Sequence, residues 1–166
     1  MPVNRGKQFE RLIYEQFSKL DDVFIDRIYD VTNHFKTIST PCDFIIYSYP
    51  NIIYLECKAV SGNTLNFKSH IRENQWDGLL ERSKIKGVKA GILLWFTEHD
   101  TTVYLPIQYL EKLKVDGYKS FNYFYMDIVY ENFEPIELVG NKKRVFWEYN
   151  LIKFLNRLKG KQDGKD

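Results

Sequence analysis

Sulfur and histidine are scarce in this chain: two cysteines, Cys42 and Cys57, and three histidines, His34, His70 and His99. There is no Cys-x-x-Cys and no histidine pair near either thiol, which excludes the four-ligand set of a structural zinc site. Long apolar runs are missing too. No stretch approaches the roughly 20 residues that a membrane span needs, and MPVNRGKQFE at the start lacks the apolar core of a secretory signal. The expectation is a cytoplasmic protein without membrane attachment, in which a disulfide is disfavoured and both thiols are small, partly buried side chains. Neither a Gly-rich nucleotide loop nor a nucleophile elbow occurs, which argues against a small-molecule enzyme. Charge of one sign is also lacking. Lys and Arg total 24 against 22 Asp and Glu, a net charge of +2. That balance is compatible with nucleic acid without announcing it, and carboxylates gathered around a metal would mask basic residues elsewhere.

What is present is apolar material for one core, 44% of residues, with 16% aromatic. The length predicts a single domain over residues 1–160, and GKQDGKD after Lys159 predicts a solvated, disordered tail over 161–166. Phe9, Leu12, Ile13, Phe17 and Leu20 recur at helical spacing from about Arg5 to Leu20, with Asn4 as N-cap. Val23–Tyr29 reads as a strand, and Asp30–Pro41 as an ordered loop or small hairpin. Asp43–Tyr47 and Ile52–Lys58 read as a β-hairpin turning at Pro50-Asn51. A helix is expected over Ser69–Ile85, ended by Gly87. Ala90–Thr97 suits a central strand covered on both faces. Thr102–Leu105 reads as an edge strand, Ile107–Leu113 as a short helix and Trp147–Leu158 as the last helix. Tyr118–Tyr130 alternates as a strand would, for core or interface packing rather than base stacking. The order predicts an α/β fold with a mixed β-sheet flanked by helices.

One grouping carries chemistry. Pro41-Cys42-Asp43 is followed, thirteen residues after Asp43, by Glu56-Cys57-Lys58. Alternation puts Glu56 and Lys58 on one face of a strand and Cys57 on the other. A turn at Pro50-Asn51 brings Asp43 opposite Lys58, give or take a register step. Two carboxylates so placed repel unless a cation lies between them, and a hard divalent ion such as magnesium suits oxygen ligands of this kind. The chemistry implied is phosphodiester hydrolysis, the ion polarising the phosphate and activating water while Lys58 orients that water. The alternative is a solvated hairpin face with no such role.

These residues resemble the PD-(D/E)xK nuclease signature. More narrowly, the chain is similar to RecU-type Holliday junction resolvases of Gram-positive bacteria and their phages. Asn4-Arg5-Gly6 with Glu10, Ser39-Thr40 before Asp43, Glu56-x-Lys58, then Phe67, His70 and Gln75, and finally Gly91–Phe96 with Val103-Tyr104-Leu105 carry the resemblance. It spans about residues 4 to 110. It implies a restriction-endonuclease-like fold and a homodimer acting on four-way DNA junctions. Asp43 and Glu56, with the Cys57 carbonyl, would hold magnesium, or manganese in its place. Lys58, Glu10 and Gln75 would complete the catalytic centre, and Arg5 would approach the DNA backbone. The family's long basic stalk is reduced here to Asp30–Pro41, with Lys36 and His34. Lys36, Lys68, His70 and Arg72 are further candidate DNA contacts. Taken alone, His70 reads more readily as an ordinary surface histidine, and Lys142-Lys143-Arg144 reads equally as a phosphate contact or a solvated turn. The rival readings are a restriction-like or repair nuclease with another substrate, and a DNA-binding module that does not cut.

Overall fold

The computed structural model describes residues 3–32, 37–38 and 40–160. In chain order the elements are α1 (Arg5–Ser18), β1 (Val23–Arg27), β2 (Val31–Thr32), β3 (Thr37–Ile38), β4 (Phe44–Ser48) and β5 (Asn51–Val60). Then come β6 (Thr64–Asn66), α2 (Phe67–His70), α3 (Glu73–Ser83), β7 (Val88–Phe96), β8 (Thr101–Pro106) and α4 (Ile107–Val115). The chain finishes with β9 (Ser120–Asn122), a 3-10 turn at Tyr123–Tyr125, β10 (Ile136–Leu138), β11 (Gly140–Lys142), β12 (Trp147–Tyr149) and α5 (Leu151–Gly160). Six strands form one mixed sheet in the order β1-β4-β5-β7-β8-β10. Only the β5–β7 pair is parallel, because the chain crosses back through α2 and α3 between them.

Helices flank this sheet on both faces, as expected. One cluster joins Phe9, Ile13 and Phe17 of α1 and Phe154, Leu155 and Leu158 of α5 to Phe44, Ile53, Leu55 and Leu93. The other joins Trp76 and Leu79 of α3 and Leu110 and Leu113 of α4 to Ile92, Leu94 and Phe96. Alternating β7 residues therefore enter opposite layers, which is why its sequence is nearly unbroken apolar. Asn4 caps α1 through its side chain, accepting from Lys7 N at 3.0 Å, and β2 and β3 pair antiparallel, where an ordered loop or a small hairpin was expected over 30–41.

Several boundaries differ from expectation. The hairpin turns at Tyr49-Pro50 rather than Pro50-Asn51, since Asn51 is drawn into β5 opposite Ser48. Its side chain is buried and donates to Gly87 O at 3.3 Å. The single helix over Ser69–Ile85 is two helices, broken where Ile71 and Arg72 are extended. Helix α3 stops at Ser83, and Gly87, at φ +85°, instead turns the chain into β7. Strand β8 is not an edge, because β10 pairs along its outer side. Alternation through Tyr118–Tyr130 ends at Asn122, whose side chain accepts from Phe124 N and winds the next residues into the 3-10 turn.

Trp147–Tyr149 is a strand rather than the start of the last helix. The Gln16 side chain of α1 clamps it, donating to Trp147 O at 2.7 Å and accepting from Tyr149 N at 2.8 Å. The tail predicted over 161–166 lies outside the described residues.

Candidate active site

Asp43 stands at the mouth of the β4–β5 hairpin. Its backbone N–H donates to Leu55 O at 3.1 Å and its backbone C=O accepts from Ile28 N at 2.8 Å, so three strands meet there. Extending the β4–β5 register by one pair places Asp43 opposite Glu56. Lys58 was the expected partner; moving the turn by one residue shifts every partner by two and leaves the faces unchanged. Backbone groups alternate in direction along β5, and those of Leu55 and Cys57 turn toward β4. Cys57 N accordingly donates to Asp43 Oδ2 at 2.9 Å. The Cys57 carbonyl lies on the same side, past the last residue that β4 pairs. Its thiol, by contrast, is buried in the α1 layer, and burial pushes it well above the ordinary thiol value. Cys42 is likewise buried, its thiol pushed up to about 12. Both thiols are inert packing groups, more deeply buried than expected.

Glu56 is only 4% exposed. Its Oε1 accepts from Gln75 Nε2 at 2.8 Å and lies 3.2 Å from Lys58 Nζ. Burial first, then the negative charge of Asp43, raises the Glu56 carboxyl from 4.5 to about 7. Burial raises Asp43 as well, against the pull of Cys57 N–H and Lys58. The Asp43 and Glu56 carboxyls act on each other electrostatically, and the buried Oε2 of Glu56 has no hydrogen-bond partner among the described residues. An ionised acceptor with no partner in so dry a place is costly.

Gln75 is positioned by the helix break. It occupies the third position of α3, and its Oε1 accepts from Arg72 N at 3.2 Å. That bond satisfies a free N–H at the helix start and leaves Nε2 aimed at Glu56. Lys58 Nζ lies 3.5 Å from the same Oε1. A solvated mid-helix glutamine was the ordinary expectation from sequence; in the structure Gln75 is 3% exposed.

Glu10 approaches from α1, where Arg27 Nη2 donates to its Oε2 at 2.7 Å. Burial and the Asp43 charge raise the Glu10 carboxyl while Arg27 lowers it, so the two acids share one electrostatic neighbourhood. Sequence reasoning missed Arg27. The available signal was the pairing of VFIDR with FIIYS, which puts Arg27 beside Phe44 and hence next to Asp43. It also missed Asp30, which accepts from Thr40 N at 2.7 Å and ties the small hairpin back to the strand entering Asp43.

A cleft of about 320 Å³ opens over this group, lined by Arg27, Asp43, Glu56, Lys58, Arg72 and Gln75 among others. Arg72 Nη1 lies 3.8 Å from Asp30 Oδ2 across it. The remaining candidates are not gathered there. Arg5 is exposed at the start of α1 and lines a separate hollow with Trp95 and Lys142. Lys68 and His70 lie on the exposed side of α2, and His70 Nδ1 accepts from Asn66 N at 2.8 Å, a local structural bond. Lys36 and His34 lie outside the described residues. Lys142 pairs with Asp100 at 2.5 Å and Lys143 with Glu148 at 3.1 Å.

Among the described residues no three His, Cys, Asp or Glu side chains gather as a metal cage. The groups that could serve as donors here are two carboxylates and a backbone carbonyl. An all-oxygen set of this kind fits magnesium, which keeps waters and substrate phosphate in its remaining positions, better than zinc. A cation between the carboxylates would give the orphaned Glu56 Oε2 its missing partner.

No helix among the described residues is long and apolar enough to cross a membrane. No protein-family model matches the chain, and no curated protein does. Among solved structures it is similar to Hjc, a Holliday junction resolvase from the archaeal hyperthermophile Archaeoglobus fulgidus. Identity is 18%, the match covers 62% of this chain and 78% of that one, and the TM-score is 0.45.

Proposed function

We propose that this protein is a magnesium-dependent endonuclease of the PD-(D/E)xK type, acting as a homodimer on branched DNA. One observation carries the reading: buried Glu56, with one oxygen unpartnered when ionised, faces Asp43 while Lys58 and Gln75 hold its other oxygen. A structural role gives no reason to bury two carboxylates side by side at a cleft, since each raises the cost of ionising the other. Phosphodiester hydrolysis does, because a site for a hard cation needs both acids ionised and dry.

Asp43, Glu56 and the Cys57 carbonyl would hold the ion, with manganese able to replace magnesium. When bound, it supplies a Lewis acid for the phosphate and lowers the pKa of water. The chain's own groups do the rest. Gln75, locked by Arg72 N–H, fixes the Glu56 carboxylate. Lys58 keeps its ammonium between Glu56 and Gln75, at the cleft wall where it can orient an attacking water and offset phosphate charge. Glu10, held by Arg27, adds a further acid whose proton affinity is already raised. Arg72 and Arg27 give the cleft cationic walls suited to a DNA backbone.

Junction specificity and the dimer are supported by the resemblance of Asn4-Arg5-Gly6, Glu10 and Glu56-x-Lys58 to RecU-type resolvases. Two symmetric cuts across a four-way junction call for two centres. The hairpin over 31–38 is far shorter than that family's stalk, and this favours one rival: a nuclease of the same chemistry that prefers another DNA. Incubating the protein with four-way, Y-shaped and linear duplexes, with and without Mg²⁺, separates the two. Preferential Mg²⁺-dependent cutting of the four-way substrate supports the resolvase reading, and equal cutting of the linear duplex supports the rival. No cutting of any substrate overturns both.

A further inference from the structure

At the end of the sheet away from Asp43, a cavity of about 420 Å³ opens where α3 turns into β7 and where β10 and α5 close over β8. Its rim carries Lys84, Lys86 and Lys89, its walls Phe133, Ile136 and Leu158, and no Asp or Glu lines it. Among the described residues, neither Lys84 nor Lys86 forms an ion pair. Lys84 and Lys86 carry like charge, and no acid of the cavity lining offsets these two.

A second, independent feature lies at its base. Tyr104 is 1% exposed, lines this cavity, and its hydroxyl has no hydrogen-bond partner among the described residues. The ring lies flat over Gly91: a Cβ there would stand 2.7 Å from Tyr104 Cε2 and 2.8 Å from Cζ. Gly91 is needed for that close approach, and the next same-face residue along β7 is Lys89, so the hydroxyl end is carried toward the lysine rim. Burial pushes the phenol well above its ordinary value, so it remains a donor. The hydroxyl is reached from the cavity rather than sealed in the core, so a group bound there can supply its acceptor.

We propose that this cavity is a docking site for an acidic peptide segment of a protein partner. The segment would seat an apolar side chain between Phe133, Ile136 and Leu158, bring a carboxylate to the Tyr104 hydroxyl, and meet the lysine rim with further acids. Apolar walls and a single hydroxyl donor do not suit the regular phosphate spacing of a duplex. The site lies roughly 20 Å from Lys58, from six residues of β5 at ~3.3 Å each, so a tethered partner would leave the cleft open. It does not depend on the nuclease reading.

The test uses fluorescence anisotropy with a fluorescein-labelled peptide of three aspartates, leucine and a C-terminal phenylalanine. Saturable binding is expected, weakening with salt. Tyr104→Phe, which removes a hydroxyl that bonds nothing and should leave Tm unchanged, is expected to weaken it roughly tenfold. Lys84→Ala with Lys86→Ala is expected to weaken it about fivefold and flatten the salt response. Amidating the peptide C-terminus distinguishes a terminal carboxylate from a side-chain one as the Tyr104 ligand: a loss matching Tyr104→Phe assigns the former, and no loss assigns the latter. Equal binding of a peptide with lysines for aspartates, displacement by a short DNA duplex, or no effect of either variant set would overturn the proposal.

Discussion

Glu56→Gln is the substitution whose outcome the geometry predicts most sharply. The amide keeps the shape: its oxygen can accept from Gln75 Nε2 and stay near Lys58, while its NH₂ takes the place of the unpartnered Oε2 and can donate to Asp43. Burial and the Asp43 charge hold the Glu56 carboxyl at about 7 in the folded protein, against an ordinary 4.5. Because the folded value is the higher one, protonated Glu56 favours the fold. That contribution is complete below about pH 4.5 and disappears as pH rises through about 7. At ~1.4 kcal/mol per tenfold change in proton affinity, ionised Glu56 costs the metal-free protein roughly 3 kcal/mol at pH 8. The variant escapes this cost. For a domain of this size ~1 kcal/mol moves Tm by about 2–4 °C, so Glu56→Gln should raise Tm at pH 8 by roughly 6–12 °C, with no gain at pH 4. Thermal unfolding in chelator at both pH values, followed by circular dichroism, reads this directly. A variant less stable at pH 8, or equally stabilised at both, would refute the account of a repelling carboxylate pair.

Asp43→Asn should abolish Mg²⁺-dependent cleavage while leaving gel-shift affinity for a four-way junction within about threefold, since phosphate contacts dominate affinity. Lys58→Ala should lower single-turnover cleavage by on the order of 10²-fold or more while changing affinity little, as expected for a group that acts on the attacking water. Gln75→Ala should lower both stability, by about 1 kcal/mol through the lost N-terminal bond of α3, and cleavage; denaturant melts and a cleavage time course measure the two separately. Binding of DNA should fall steeply between low and moderate salt, visible as a linear loss of log affinity with log salt.

Much of the site was legible because a strand advertises its geometry. Alternation alone put Glu56 and Lys58 on one face and Cys57 on the other, and the acid at the other strand's start had to return beside them. The register error came from Asn51, a residue with turn chemistry that is instead buried against Gly87. Gln75 was recognised only by resemblance, because its orientation follows from a helix break at Ile71 and Arg72 that the apolar spacing does not reveal. Arg27 became visible only once β1 was paired with β4. The C-terminal third was misread for a related reason: Ile136–Leu138 covers β8, and Gln16 holds Trp147–Tyr149 extended. Those are contacts across more than a hundred residues or between distant strands, which local patterns do not encode.

On the proposed reading, Asp43 and Glu56 together hold a hard divalent cation. Titrating the wild-type protein with Mn²⁺, followed by electron paramagnetic resonance of the free ion, tests it without substrate or turnover. One bound ion per chain is expected at pH 8, displaced by Mg²⁺ and lost in both Asp43→Asn and Glu56→Gln. Wild-type protein that binds no ion, or variants that bind it as well as wild type, would contradict it.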